Sequence, residues 1–392
     1  MYELKPFTPI ARTNWRNDNR LFGIKPKDRL HGMLVIGKSG MGKSQLLVNM
    51  ALDDIVKGNG ICVLDPHGQV SEMIKRRIPR ERLKDVIDFD AANADALPAF
   101  NPLHGVPEHQ RELVASEMVA TFKKLFDDAW GSKMERTLRM SCLTLLQYPN
   151  STLLDIHPLL TDSAFRAEVL QAVSDPHVLA FWNREFGLPA AGAQAAAILP
   201  ILNKVGVLLS NRTLRGIFGR QGGISLERCM NEGKIVLCNL PKGVIGQDVA
   251  GVLGSFLISG IQNAAMRRVN VPAGELKPFY LFIDECHNFL SASFASMLPE
   301  VRKFGVGIFL AHQYLDQLAP DIRTSVLNSV GSIICFRIGF SDAKVMEKEF
   351  YPTFGYEDFV NLPLYHIYIK LLIDGSESKG FSAVTLPSFD SS

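Results

Sequence analysis

Apolar residues along the chain fall into two kinds of pattern. Short unbroken runs, such as LHGMLVIG at 30–37 and ICVLD at 61–65, show little alternation and read as central strands covered on both faces. Between these two, Gln45 to Lys57 (QLLVNMALDDIVK) has apolar residues at helical spacing, and Gly58-Asn59-Gly60 ends the helix. Strand, loop, helix, turn and strand make one βαβ unit, which implies a parallel sheet. Comparable runs recur at Val86 to Phe89, Lys234 to Leu240 (KIVLCNL), Pro278 to Ile283 (PFYLFI), Gly307 to Ala311 (GIFLA) and Gly331 to Arg337 (GSIICFR). A last strand-like segment spans His366 to Ile373.

The pattern changes between 107 and 220. Helical periodicity dominates there, in ELVASEMVATFKKLF, MERTLRMSCLTLLQY, AFRAEVLQAV and HVLAFWNREF, with no strand-like run between them. The chain is therefore expected to be an α/β protein with a mostly parallel sheet, its main domain split over 26–106 and 221–385 by an all-α insertion at 107–220. Residues 1–25 are expected to be an N-terminal extension and 386–392 a flexible tail. Val249 to Ala265 (VAGVLGSFLISGIQNAA) carries no charge but contains Gln262 and Asn263, so its strictly apolar part falls short of the ~20 residues that a bilayer requires. A helix buried against the sheet is expected, and no intrinsic transmembrane segment.

Composition narrows the classes. Of 392 residues, 47% are hydrophobic and 21% charged, which excludes a disordered chain. The net charge of +2 excludes a globally basic nucleic-acid binder, so a DNA-binding surface would have to be local. Six cysteines, without a C-x-x-C pair, lie mostly in apolar runs and read as buried free thiols. MYELKPFTPIARTNWRNDN has no apolar h-region, so no signal peptide is expected.

The chemistry concentrates in GKSGMGKS, a GxxxxGK[ST] phosphate loop between a predicted strand and a predicted helix. Gly37, Lys38, Ser39, Gly40, Met41, Gly42, Lys43, Ser44 and Gln45 are the expected ATP-binding residues. The glycines let backbone N–H groups turn toward the phosphates, and the helix N-terminus adds its positive end. Lys43 is expected to reach the β- and γ-phosphates and Ser44 to supply a hydroxyl to Mg²⁺. Asp284 and Glu285 close the run FYLFIDE: Asp284 is expected to hold Mg²⁺, and Glu285 to polarise the attacking water as general base. Gln313, at the end of GIFLAHQ, can hydrogen-bond both the γ-phosphate and that water. Arg302, in PEVRKFGVG, precedes its strand and is expected at the opposite end of the sheet, where a neighbouring subunit could receive it as an arginine finger.

Together VIGKSGMGKS, VLDPHG, DFDAANADALPAFNPL, NLPKG, LFIDECHNF and RKFGVGIFLAHQ resemble the FtsK/HerA superfamily of DNA-pumping ATPases, and within it the conjugative coupling proteins of the TraD/TraG type. The resemblance spans about 20–385. It implies a RecA-like P-loop core that forms a homo-oligomeric ring, usually a hexamer, with ATP and Mg²⁺ between subunits and single- or double-stranded DNA in the channel. It implies that Lys43, Ser44, Asp284, Glu285, Gln313 and Arg302 hold the matching family positions, and that the helical insertion resembles the domain at the channel mouth. Expected partners are membrane-associated secretion or relaxosome-like proteins, and the expected location is cytoplasmic, peripheral to the inner face of the membrane through those partners. Coupling proteins anchored in the membrane carry N-terminal transmembrane helices and HerA proteins a β-barrel; the stretch before Gly37 resembles neither. Two other readings share these motifs: a secretion or assembly ATPase acting on protein cargo, and a HerA-like DNA-processing or defence ATPase. The loop Asn288 to Ala295, Lys242 and Arg267-Arg268 are the expected places for DNA contacts.

Overall fold

A computed structural model describes residues 5–93, 97–125, 130–186, 191–272 and 274–389. The chain forms two compact units. One holds the described residues up to Phe89, Leu226–Gly246 and those from Ala264 onward; the other holds Asp90–Ser225 and Gln247–Asn263.

The first unit is built on a sheet. Its strands in chain order are β1 (Thr8–Thr13), β2 (Leu21–Ile24), β3 (Met33–Ile36), β4 (Gly60–Asp65), β5 (Val86–Asp90), β6 (Ile235–Asn239) and β7 (Phe279–Ile283). There follow β8 (Val306–His312), β9 (Ser332–Cys335), β10 (His366–Lys370), β11 (Leu372–Ile373), β12 (Ser376–Glu377) and β13 (Phe381–Thr385). The eleven-stranded sheet has the order β2-β1-β13-β10-β9-β3-β8-β7-β4-β6-β5, and β11 pairs with β12 apart from it. The middle of the sheet, β9-β3-β8-β7-β4-β6, is parallel throughout. Every residue of β3, β4, β7 and β8 is buried, as continuous apolar runs require when helices cover both faces.

The parallel segments lie where the apolar runs placed them. The sheet's far edge does not. Residues 8–24, set aside as an N-terminal extension, form β1 and β2 and pair with β13 and with each other. Thr8–Thr13 contains Pro9, and its partner lies at the other end of the chain, so no local window predicts the pairing. The start of the expected flexible tail is docked as well: Asn49 Nδ2 donates to the Pro387 carbonyl at 2.8 Å, and the Phe389 N–H donates to Asn49 Oδ1 at 2.9 Å. Residues 390–392 lie outside the described residues.

The helix Lys43–Val56 crosses the sheet and buries Leu46, Leu47, Val48 and Met50. Its fourth turn is pinned by Arg29, whose guanidinium makes a bidentate pair with Asp54 at 2.6 Å and lies 3.8 Å from the centre of the Tyr280 ring. Both partners are buried, so either one alone would leave an uncompensated charge. The six cysteines are buried thiols outside any disulfide.

Among its described residues the second unit is helical, with one isolated bridge between Phe100 and Gly223. It includes the first part of the helix Gln247–Arg267, beyond the 107–220 range read from periodicity. By length and mean hydropathy (1.4), Gln247–Asn270 is long enough to cross a membrane, contrary to the count of strictly apolar positions; 72% of its apolar window is buried inside the protein. Inside the second unit Thr121 and Ser259 share a hydrogen bond at 3.2 Å, and Glu117 stands beside Asn263 one turn away. Neither carboxylate oxygen of Glu117 reaches a partner at hydrogen-bonding geometry, and burial pushes this side chain up to about 8.

Candidate functional site

In an open parallel sheet, ligands bind beyond the carboxyl ends of the strands. Here β3, β8 and β7 are adjacent and end together. They carry, in that order, the glycine loop, Gln313 and the acidic pair.

After β3 the backbone turns through Gly40 (φ 77°) and Gly42 (φ 117°) into the helix that starts at Lys43. These left-handed values favour glycine, and at Gly42 a Cβ would also stand 2.9 Å from the Tyr365 ring. The loop is anchored at its base, where the Gly37 N–H donates to the His312 carbonyl and that of Lys38 to the Arg337 carbonyl. Lys43 is buried, and its Nζ donates to the carbonyls of Gly37 (2.5 Å) and Lys38 (3.1 Å). Burial lowers the pKa of this ammonium, while Glu285 and Asp284 pull it back up.

Asp284 and Glu285 follow β7, and both are buried. The Asp284 N–H donates to the Leu64 carbonyl, which fixes the strand tip against β4. Burial, with Asp65 and Glu285 as negative neighbours, pushes the Asp284 carboxyl up to about 7 against the pull of Lys43. Glu285 sits in the left-handed region (φ 46°, ψ 54°), strained for a side chain with a Cβ. Its Oε1 accepts from Gln313 Nε2 at 2.6 Å; its Oε2 is buried without a hydrogen bond, 3.5 Å from His287 Nδ1. Such strain, held by surrounding structure, concentrates at functional sites.

These groups enclose a cavity of about 510 Å³. Ser39, Gly40, Gly42, Lys43, Ser44 and Gln45 line it from the loop, and Asp284, Glu285 and Gln313 from the strand tips. Gly37, Lys38 and Met41 do not line it. Gly37 packs on Phe336, and Met41 lies in the core with its sulfur 3.1 Å from Arg337 Nη2.

Four further residues line the cavity that sequence reasoning did not assign: His67, Gln69, Val70 and Tyr365. The first had a signal in VLDPHG. Asp65 of that motif accepts the N–H groups of His67, Gly68 and Ser71, and so shapes the loop that carries His67 into the cavity. Tyr365 comes from a loop with no local signature. His312, beside Gln313, is fully buried, and burial pushes its ring down to about 4; its Nδ1–H donates to the Tyr314 carbonyl at 3.0 Å.

Arg302 is not in this cavity. It precedes β8, exposed, with Nη1 2.7 Å from Nδ1 of His31, a residue just before β3. Seven residues of β8 at ~3.3 Å each separate it from Gln313 by roughly 20 Å along the strand.

The expected DNA-contact positions fare differently. Arg268 is buried and clamps the carbonyls of Phe304 and Lys277 at 2.8 and 2.7 Å, so it is structural. In the small-residue segment after the acidic pair, Phe289, Leu290, Phe294 and Ala295 are buried, and a helix starts at Ala292; it is not an open loop. Lys242 is half-buried at the start of a short helix.

No family model matches the chain, and no curated protein matches it in sequence. Solved structures do. The plasmid coupling protein TrwB in complex with ADP and Mg²⁺ superposes with a TM-score of 0.67 at 15% identity, over 100% of this chain and 96% of that one. TrwB with the non-hydrolysable ATP analogue ADPNP gives 0.66 at 15% identity, over 100% and 99%. VirB4 of Thermoanaerobacter pseudethanolicus gives 0.67 at 12% identity, over 98% and 97%. Likeness at these identities concerns the fold. The chain has the α/β, RecA-like P-loop fold with a mostly parallel sheet and an added helical part.

Proposed function

We propose that this protein is an ATP-hydrolysing motor of the conjugative coupling-protein type, which forms a ring and moves or recruits DNA for a type IV secretion-like system. The observation that carries the reading is the convergence of Lys43, Ser44, Asp284, Glu285 and Gln313 on one cavity at the ends of adjacent parallel strands. The same fold in TrwB, solved with ADP and Mg²⁺ and with an ATP analogue, supports the choice of ligand.

The residues fit a magnesium nucleotide. Asp284 is a buried carboxyl held at an electrostatic cost beside two other carboxylates, an environment that a cation relieves. Ser44 and Asp284 are the groups that would hold Mg²⁺. When bound, the ion supplies positive charge to the phosphate oxygens. Lys43 exchanges its two loop carbonyls for phosphate oxygens. Glu285 accepts the proton of the attacking water as the water oxygen bonds to the γ-phosphorus and the β–γ bridge breaks. Gln313, already bonded to Glu285, holds that carboxylate and can sense the γ-phosphate through the same amide. Arg302 acts on the site of a neighbouring subunit in the ring, since its own site lies at the far end of the strand.

A second reading, an ATPase acting on protein cargo, draws on the net charge of +2. Steady-state ATP hydrolysis with and without single- and double-stranded DNA at low salt separates the two. Stimulation by either DNA, absent in Lys43→Ala, is expected; robust turnover indifferent to both would transfer the proposal to protein cargo. No turnover in any condition that permits ring assembly would end it.

A further inference from the structure

We infer that Tyr365 is the platform on which the base of the bound nucleotide stacks. This deepens the nucleotide reading above and rests on it.

The side of the cavity follows from the sheet order. The reactive groups, Glu285 and Gln313, stand beyond β7 and β8, on one side of β3. A nucleotide whose γ-phosphate faces them, with its phosphates along the glycine loop, must leave by the other side of β3, toward β9 and β10. Tyr365 occupies that side, immediately before β10, and lines the same cavity as the glycine loop.

The placement of the ring is specific. A Cβ on Gly42 would stand 2.9 Å from Tyr365 Cδ1 and 3.4 Å from Cε1, so one side of the ring packs on the loop backbone. The residue remains 47% exposed, and its aromatic side chain lines the cavity. Its backbone is in the left-handed region (φ 64°), unfavourable for a bulky residue. Three hydrogen bonds hold it there: the Tyr365 N–H donates to the Met41 carbonyl, and the Thr385 N–H and Oγ1–H both donate to the Tyr365 carbonyl. A strained aromatic, tied to the phosphate loop and left open toward the ligand, is arranged to offer its face. Stacking tolerates any base, because every base has a π-face, so this platform favours a base without choosing between adenine and guanine.

The test compares Mg²⁺-ATP, Mg²⁺-GTP and inorganic tripolyphosphate as ligands, measured by calorimetry on wild type, Tyr365→Asn, Tyr365→Phe and Lys43→Ala. Asparagine tolerates the left-handed backbone and removes the ring, so the loop keeps its shape. Tyr365→Asn is expected to weaken ATP and GTP alike by about tenfold and to leave tripolyphosphate unchanged, while Tyr365→Phe stays within about twofold for all three. Unchanged ATP affinity in Tyr365→Asn, or an equal loss for tripolyphosphate, would overturn the inference. Full ATP affinity in Lys43→Ala would instead sink the nucleotide reading beneath it, so the two failures are told apart.

Discussion

The carboxyl of Asp284 is the most informative group to perturb, because the fold holds it at a cost. Burial and two negative neighbours raise it from 3.8 to about 7. In the unfolded chain the same carboxyl ionises near pH 4. Between these values the unfolded chain has released a proton that the folded protein retains, so stability falls as pH rises through this window, and the loss is complete above pH 7. At about 1.4 kcal/mol per unit, the penalty is roughly 2 kcal/mol at pH 5 and roughly 4 kcal/mol at pH 8. Asp284→Asn removes it and keeps an oxygen to accept the Glu285 N–H, now 3.1 Å from Asp284 Oδ1. The variant is therefore expected to be more stable than wild type without nucleotide, with a gain larger by about 2 kcal/mol at pH 8 than at pH 5, or on the order of 5 °C in Tm. Thermal unfolding at the two pH values, in chelator, measures this. Adding Mg²⁺ and ATP should reverse the ranking, because wild type gains the ligand's stabilisation and the variant largely does not. A gain equal at both pH values, or no gain, would refute the electrostatic account; a variant that still hydrolyses ATP at the wild-type rate would refute the role assigned to Asp284.

Glu285→Gln is expected to keep ATP affinity and to lose about 10²–10⁴ in turnover, as removal of a general base does, and Gln313→Ala added to it should cost little more because the two act as one unit; single-turnover kinetics on the two single variants and the double variant decide this. Arg302→Ala should leave the unfolding free energy within about 0.5 kcal/mol of wild type, as exposed sites do, yet lower turnover by about 10³. Wild-type turnover per subunit should rise with protein concentration, and a rate independent of concentration from a monomer would refute action across subunits. Glu117, pushed up to about 8, makes folding less favourable as pH rises from about 4.5 to 8, so Glu117→Gln should stabilise the protein by up to about 4 kcal/mol at pH 8 and slow amide exchange in the helix Arg111–Leu125; equal exchange rates at pH 8 would count against the neutral, buried carboxyl.

What was legible in the sequence follows the range of the interactions. Gly37 to Ser44 is a contiguous device, so its spacing and its place between strand and helix sufficed to read it. Asp284, Glu285 and Gln313 were legible because each ends an unbroken apolar run, and the end of a central strand is where a parallel sheet presents chemistry. The pairing of β1 with β13 joins Thr13 to Ala383, and no local pattern encodes it. Tyr365 enters the cavity by a left-handed loop whose conformation depends on Met41 and Thr385, both distant in sequence. Arg268 read as a place for a DNA contact because the carbonyls that bury it, of Lys277 and Phe304, belong to segments read as separate. The tail's first residues looked free for the same reason: Asn49, which binds them, sits inside a helix whose pattern speaks only of its core face.

The charge balance of the cavity bears on assembly. Asp284 and Glu285 line it, and Asp65 lies close enough to raise Asp284. Among the described residues that line it, Lys43 is the only lysine or arginine, and burial already lowers the pKa of its ammonium. A triphosphate adds several negative charges, and its transition state spreads them over oxygens that need fixed positive partners. One lysine and one Mg²⁺ leave that demand partly unmet within a single chain. Arg302 is exposed and held by a neutral partner: burial and the arginine itself keep the His31 ring below its usual pKa. Its release therefore breaks no ion pair with a carboxylate. A site short of positive charge at one end of the sheet and an arginine held without an acid at the other are complementary only when a second copy of the chain brings them together, which is why the proposed motor is a ring rather than a monomer.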